Sequence, residues 1–187
     1  MAEKMDRRVR KTKAQLREGL ARLMQQKSIK EISVKELVDE VDINRSTFYL
    51  HYTDIYQMLQ KIEEDAMQNI TEVMKKYPID PDNSDSVLQF IVQFFSIMDN
   101  DRDLCLALLG PHGDMAFVEQ IENLLAKTFL SHLPEKFPEN DPYILNGCVG
   151  LIRTWLSSPE TESPDQVALL IYHLIEDTAQ GYLNMQK

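Results

Sequence analysis

Arg45, Ser46, Thr47, Tyr49 and His51 fall within one short stretch of the chain. They are short or planar polar side chains. Such groups hydrogen-bond to the edges of bases and to phosphate oxygens in a DNA major groove. To do so they must project from one face of an element whose other face is held down. Phe48, with Val34, Leu37, Val38 and Ile43 upstream, supplies apolar residues at positions that can pack inward. The pattern fits three short helices over residues 7–52, with a helix-turn-helix at about residues 33–52.

The individual elements read as follows. Leu16, Leu20, Leu23 and Met24 recur at i, i+4, i+7 and i+8, one apolar stripe on a helix over residues 7–26. Its opposite face carries Arg7, Arg8, Lys11, Lys13, Arg17 and Arg22. Ser33-Val34-Lys35-Glu36 has the form of a capping box, in which Ser33 accepts from the amide of Glu36 and Glu36 reaches back. Asp42-Ile43-Asn44 reads as a turn, with Asn44 as N-cap of a third helix over residues 45–52. Thr53-Asp54 offers a cap for a long helix to about Lys76, and Ser84 or Asp85 a cap for the next. Five further helices are expected near residues 85–99, 101–109, 114–132, 142–157 and 164–185, separated by Gly- and Pro-containing breaks. The fold class is therefore all-α: residues 1–53 as an N-terminal helix-turn-helix domain, residues 54–187 as a larger C-terminal helical domain.

Charge sharpens this division. The 187 residues carry 20 Lys/Arg and 30 Asp/Glu, a net charge of −10, which by itself speaks against phosphate binding. Residues 1–61, however, hold 13 basic and 9 acidic side chains, a net of +4, and residues 62–187 hold 7 and 21, a net of −14. A basic head on an acidic body confines any contact with nucleic acid to the head.

Other chemistries find no support. Asp99, Asp101 and Asp103 imitate the start of a calcium loop, but the positions that need glycine and glutamate hold Leu104 and Gly110. A helix cap is the expected role of Asp101 or Asp103. His51, His112, His132 and His173 are far apart, and no metal-ligand, nucleophile-elbow or phosphate-loop spacing occurs, so neither an enzyme nor a metal or cofactor is expected. No secretory h-region or run of about 20 apolar residues is present, which makes the cytoplasm the expected compartment and leaves no membrane partner. Cys105 and Cys148 read as thiols buried in apolar helices, with a redox pair as the alternative.

The segment from Val41 to Tyr52, and above all its Thr-Phe-Tyr-x-His-aromatic run at Thr47–Tyr52, resembles the recognition-helix signature of the tetracycline-repressor (TetR) family of bacterial transcription regulators. Ser33-Val34-Lys35-Glu36-Leu37 resembles that family's second helix. The resemblance implies base or phosphate contacts for Thr47 and Tyr49, a phosphate contact for His51, backbone anchoring by Ser33 and Lys35, and core roles for Phe48 and Tyr52. It also marks a departure: a Lys frequent at the start of helix four is missing from Thr53-Asp54-Ile55-Tyr56, where Asp54 stands as a helix cap and Tyr56 could compensate.

The stretches Asp99–Gly110, Gly113–Phe117 and Gly147–Leu156 are similar to a C-terminal domain common in the family's Gram-positive members. The family places an effector pocket among the middle helices, and Phe90, Phe94, Met98, His112 and Phe117 are the candidates here, with plain core as the bland role of the aromatic residues. It also pairs the last two helices with those of a second copy as a four-helix bundle. Ile144, Val149, Ile152, Leu156, Leu170 and Leu174 are apolar enough to serve. The implied protein is a homodimeric repressor that binds a palindromic double-stranded operator and is released by a small-molecule effector of unknown identity. The alternative is a protein–protein adaptor or coregulator of the same fold without an effector of its own.

Overall fold

The computed structural model describes residues 2–80, 83–129, 142–158 and 162–185. Nine α-helices and one 3-10 turn account for most of them, and no strand occurs among the described residues, so the all-α expectation holds. The helices are α1 (Ala2–Met24), α2 (Val34–Glu40), α3 (Arg45–Tyr49), α4 (Ile55–Lys76), α5 (Ser84–Asn100), α6 (Arg102–Leu109), α7 (Met115–Phe129), α8 (Pro142–Ser157) and α9 (Pro164–Met185). Among the described residues no helix is long and apolar enough to cross a membrane.

The chain divides into two compact units, Met1–Ala66 with Asp103–Met115, and Met67–Arg102 with Ala116–Lys187. The first unit therefore extends past residue 53. The first turns of α4 bury Ile55, Met58, Leu59 and Ile62 within it, and α6 belongs to it as well. Gln25, just beyond α1, donates to the carbonyl of Asp103 at 3.1 Å.

In the first unit Leu16, Leu20, Leu23 and Met24 are buried, as their period requires. Gly19 lies on the same side, and a Cβ there would collide with Val41 and meet Leu37, so the missing side chain is what lets α1 approach α2 so closely. Two ion pairs bind these elements from outside: Arg22 Nε to Glu40 at 2.8 Å, and the Lys27 ammonium to Glu36. The Ser33 capping box is thus only half formed. Ser33 Oγ accepts from the Glu36 amide at 3.1 Å, but the Glu36 carboxylate turns to Lys27, which holds it below the usual carboxylate range. A complete box lies one turn earlier, where Ser28 and Glu31 cap the 3-10 turn Ile29–Glu31. The same Ser-x-x-Glu spacing there was readable in the sequence.

The turn between α2 and α3 is a Schellman motif. Ile43 N–H donates to the Val38 carbonyl at 3.0 Å and Asp42 N–H to the Asp39 carbonyl at 3.5 Å. Asp42 takes the left-handed position, φ 52°, which glycine usually fills and Asp tolerates better than most residues. Asn44 caps α3 as expected, its Oδ1 accepting from Ser46 N–H at 2.9 Å and from Ser46 Oγ–H at 2.8 Å. Asp54 caps α4 by accepting from Gln57 N–H at 2.8 Å.

In the second unit α5 and α8 pack along α9, around Phe90, Phe95, Trp155, Val167 and Ile171. Asn83 caps α5 in place of Ser84 or Asp85. Ser163 and Gln166 cap α9 reciprocally around Pro164 at its first position. The guanidinium of Arg102 donates to the carbonyls of Trp155, Leu156 and Ser158 at the end of α8 and pairs with Asp99. Asp99 is thereby taken up in an ion pair, and Asp101 ends α5 as its C-cap.

Candidate nucleic-acid interface

α3 is held to its unit by Phe48, which is 0% exposed, and by Tyr52, 7% exposed, with ring centroids 5.7 Å apart. Burial raises the Tyr52 hydroxyl above its ordinary pKa, so it stays protonated. The same rotation about the helix axis that sinks Phe48 turns its neighbours outward. Arg45, Ser46 and Tyr49 are exposed, and Thr47 and His51 are half-buried. The helix is shorter than expected: it ends at Tyr49, and Leu50 and His51 continue as a turn whose amides bond back to Thr47 and Phe48.

Ser46 has a second task. Its hydroxyl donates to Asn44 as part of the cap, so only its acceptor side remains for a ligand. Ser33 and Lys35 are both exposed at the start of α2. Because Ser33 Oγ accepts in the cap, its own O–H stays available to donate to an acidic oxygen. Arg7, Arg8, Arg10, Lys11 and Lys13 are exposed along α1.

Three features of this face are not visible in the individual residues. Leu50 is 79% exposed beside the polar groups, an apolar contact available to a thymine methyl. Its signal in the sequence is its place between Phe48 and Tyr52, on the opposite phase. Tyr56, in the first turn of α4, is 57% exposed where the family's Lys is missing. Arg45 and Tyr49, one turn apart, are joined: Arg45 Nε and Nη2 donate to the Tyr49 hydroxyl at 3.3 and 3.0 Å, and the guanidinium carbon lies 5.5 Å from the ring centroid.

The other sequence candidates lie elsewhere. Phe90, Phe94, Met98 and Phe117 are buried in the second unit, with Phe90 and Phe94 stacked at 6.2 Å. His112 is half-buried in the bend before α7 and belongs to the first unit. Ile152 and Leu156 of α8 are 6% and 3% exposed, core of their own subunit, whereas Leu170 on α9 is 50% exposed and Val149 and Leu174 are half-buried. Ile144 lies in α8, its side chain outside those described. Cys105 and Cys148 are half-buried thiols, and burial pushes Cys148 up to about 11.

Comparison with known proteins accords with this geometry. Residues 85–177 match the family model TetR_C_8, a transcriptional regulator C-terminal region. The chain is 24% identical to the HTH-type transcriptional regulator AcrR of Shigella flexneri, across 91% of this chain and 93% of that protein. It is 22% identical to the HTH-type transcriptional regulator YxbF of Bacillus subtilis over 87% of its length, and spans only 44% of that relative. Among solved structures, a TetR transcriptional regulator from Streptococcus agalactiae superposes with a TM-score of 0.58 at 20% identity, covering 94% of this chain and 98% of its own. The fatty acid degradation regulator FadR from Bacillus halodurans superposes with 0.64 at 9% identity, covering 87% and 93%. The chain belongs to the TetR family of transcriptional regulators.

Proposed function

We propose that the protein is a repressor that binds a palindromic operator as a homodimer through residues 1–53 and is released by a small molecule bound in the remaining helical part. One observation carries the DNA-binding reading: Phe48 is fully buried, while Arg45, Ser46 and Tyr49 of the same helix are exposed beside the half-buried Thr47 and His51. Ser33 and Lys35 stand ready for phosphate at the start of α2, and the exposed bases of α1 add sequence-independent attraction.

The dimer face is centred on Leu170, Leu174 and Val149 in this reading. Ile152 and Leu156 already fill the subunit's core and contribute by holding α8 in place. Gly150 supports the choice, because a Cβ there would meet nothing within 4 Å and the backbone is open to close approach. Two-fold symmetry places two copies of α3 for half-sites about 34 Å apart. An effector acts by binding better to one spacing of those helices than to the other. Phe90, Phe94, Met98 and Phe117 are proposed to line its site.

A titration of the duplex flanking its own gene, read by mobility shift, tests the assignment. The Thr47→Ala/Tyr49→Ala double variant loses operator binding and remains a dimer; unchanged affinity sinks the reading face. Raising salt from 50 to 200 mM lowers the affinity of the wild-type protein steeply. An adaptor would retain no specific duplex at any salt concentration.

A further inference from the structure

We propose that Arg45 selects a guanine in the operator half-site and that Tyr49 is the residue that positions it. The inference rests on the DNA-binding reading of α3 and adds a base to it. A guanidinium has five N–H donors in a planar fork. Here one edge is already engaged, since both Nε–H and an Nη2–H point to the Tyr49 hydroxyl, at 3.3 and 3.0 Å. The opposite, terminal edge keeps its Nη1 and Nη2 donors side by side. Among the described residues no carboxylate forms an ion pair with Arg45, and the side chain is exposed.

Two adjacent donors discriminate among base pairs by elimination. In the major groove guanine offers two acceptors, O6 and N7. Adenine pairs one acceptor with a donor, thymine pairs one acceptor with a methyl group, and cytosine presents a donor. A phosphate would also accept two bonds. The first residues of a recognition helix meet base edges, however, and Arg45 is the first residue of α3. The two bonds to the Tyr49 hydroxyl restrict a side chain that otherwise has many rotamers. Less freedom is lost when DNA binds, and the terminal edge is presented before contact.

The test is selection from a pool of randomised duplexes by the full-length protein, followed by affinity measurements on the enriched site with each base at each position. Wild type enriches a half-site in which one guanine is preferred over the other bases by about tenfold or more. In Arg45→Ala that one preference disappears while the others remain. In Arg45→Lys it weakens, because an ammonium lacks the fork. In Tyr49→Phe, which keeps the ring and loses the hydroxyl, the guanine preference falls severalfold at that position alone; a merely structural role would weaken binding to every duplex alike. An enriched duplex whose Arg45-dependent position is not guanine, or a guanine preference unchanged in Tyr49→Phe, overturns the proposal and leaves the operator reading standing. Failure of the wild-type protein to enrich any duplex overturns both.

Discussion

The guanidinium of Arg102 lies over the indole of Trp155, 4.5 Å from the ring centroid, while it donates to the carbonyl of Trp155 itself and to those of Leu156 and Ser158. The last carbonyls of a helix lack intrahelical donors, and here one cation from the α5–α6 junction donates to those of Trp155 and Leu156. Trp155 is fixed in turn by Nε1–H donation to the Glu162 carbonyl at 2.8 Å and by an edge contact with Phe95 at 5.1 Å. Arg102→Ala is expected to destabilise the second unit by roughly 2–3 kcal/mol, the scale of lost hydrogen bonds to a charged group. For a chain of this size that lowers Tm by about 5–10 °C in a thermal melt. Arg102→Lys recovers less than half, since an ammonium cannot fork across three carbonyls.

Gly19→Ala is expected to lower stability although alanine favours a helix by about 1 kcal/mol over glycine. The new Cβ collides with Val41, a β-branched side chain with little rotamer freedom, and crowds Leu37. Overpacking of this kind costs about 1–3 kcal/mol. Val41 directly precedes the turn into α3, so operator affinity falls together with Tm. A rise in Tm in a thermal melt of Gly19→Ala would contradict the close α1–α2 approach.

Asp42 holds a left-handed conformation at φ 52°. Glycine adopts it without a Cβ penalty, so Asp42→Gly is expected to gain about 0.5–1 kcal/mol. Asp42→Val places a branched side chain where the backbone tolerates none and loses about 1–2 kcal/mol. Chemical denaturation midpoints of the two variants should move in opposite directions from wild type.

Glu63 on α4 carries a buried Oε1 with no hydrogen-bond partner. Loss of hydration, reinforced by the charge of Asp114, raises its pKa from 4.5 to about 7. The folded state therefore holds this proton more tightly than the unfolded chain. The protonated group costs nothing below about pH 4.5; stability then falls as pH rises through the window from 4.5 to 7 and levels off above it. Glu63→Gln removes the titration. Its Tm should exceed that of wild type at pH 8, and the difference should shrink steadily as pH drops to 5. A constant difference across that range would show that Glu63 has no raised pKa within it.

Much of the architecture was legible in the residues alone. The span of α4 over Ile55–Lys76 and of α8 over Pro142–Ser157, the cap at Asn44, and the burial of Phe48 with exposure of Tyr49 all follow from information within four or five positions of chain. Apolar period, capping side chains and prolines act at that range, and they settle an all-helical protein with a basic, polar third helix. Contacts across longer separations needed the tertiary structure. Glu36 had two available partners, and packing of the α1–α2 segment brought Lys27 to it rather than the Ser33 amide. Ile152, Leu156 and Leu170 look equally apolar in sequence, yet the first two enter the subunit core while Leu170 stays exposed. Arg102 found the end of α8 more than fifty residues away. A side chain's type limits which bonds it can make; which surface reaches it depends on how the helices pack.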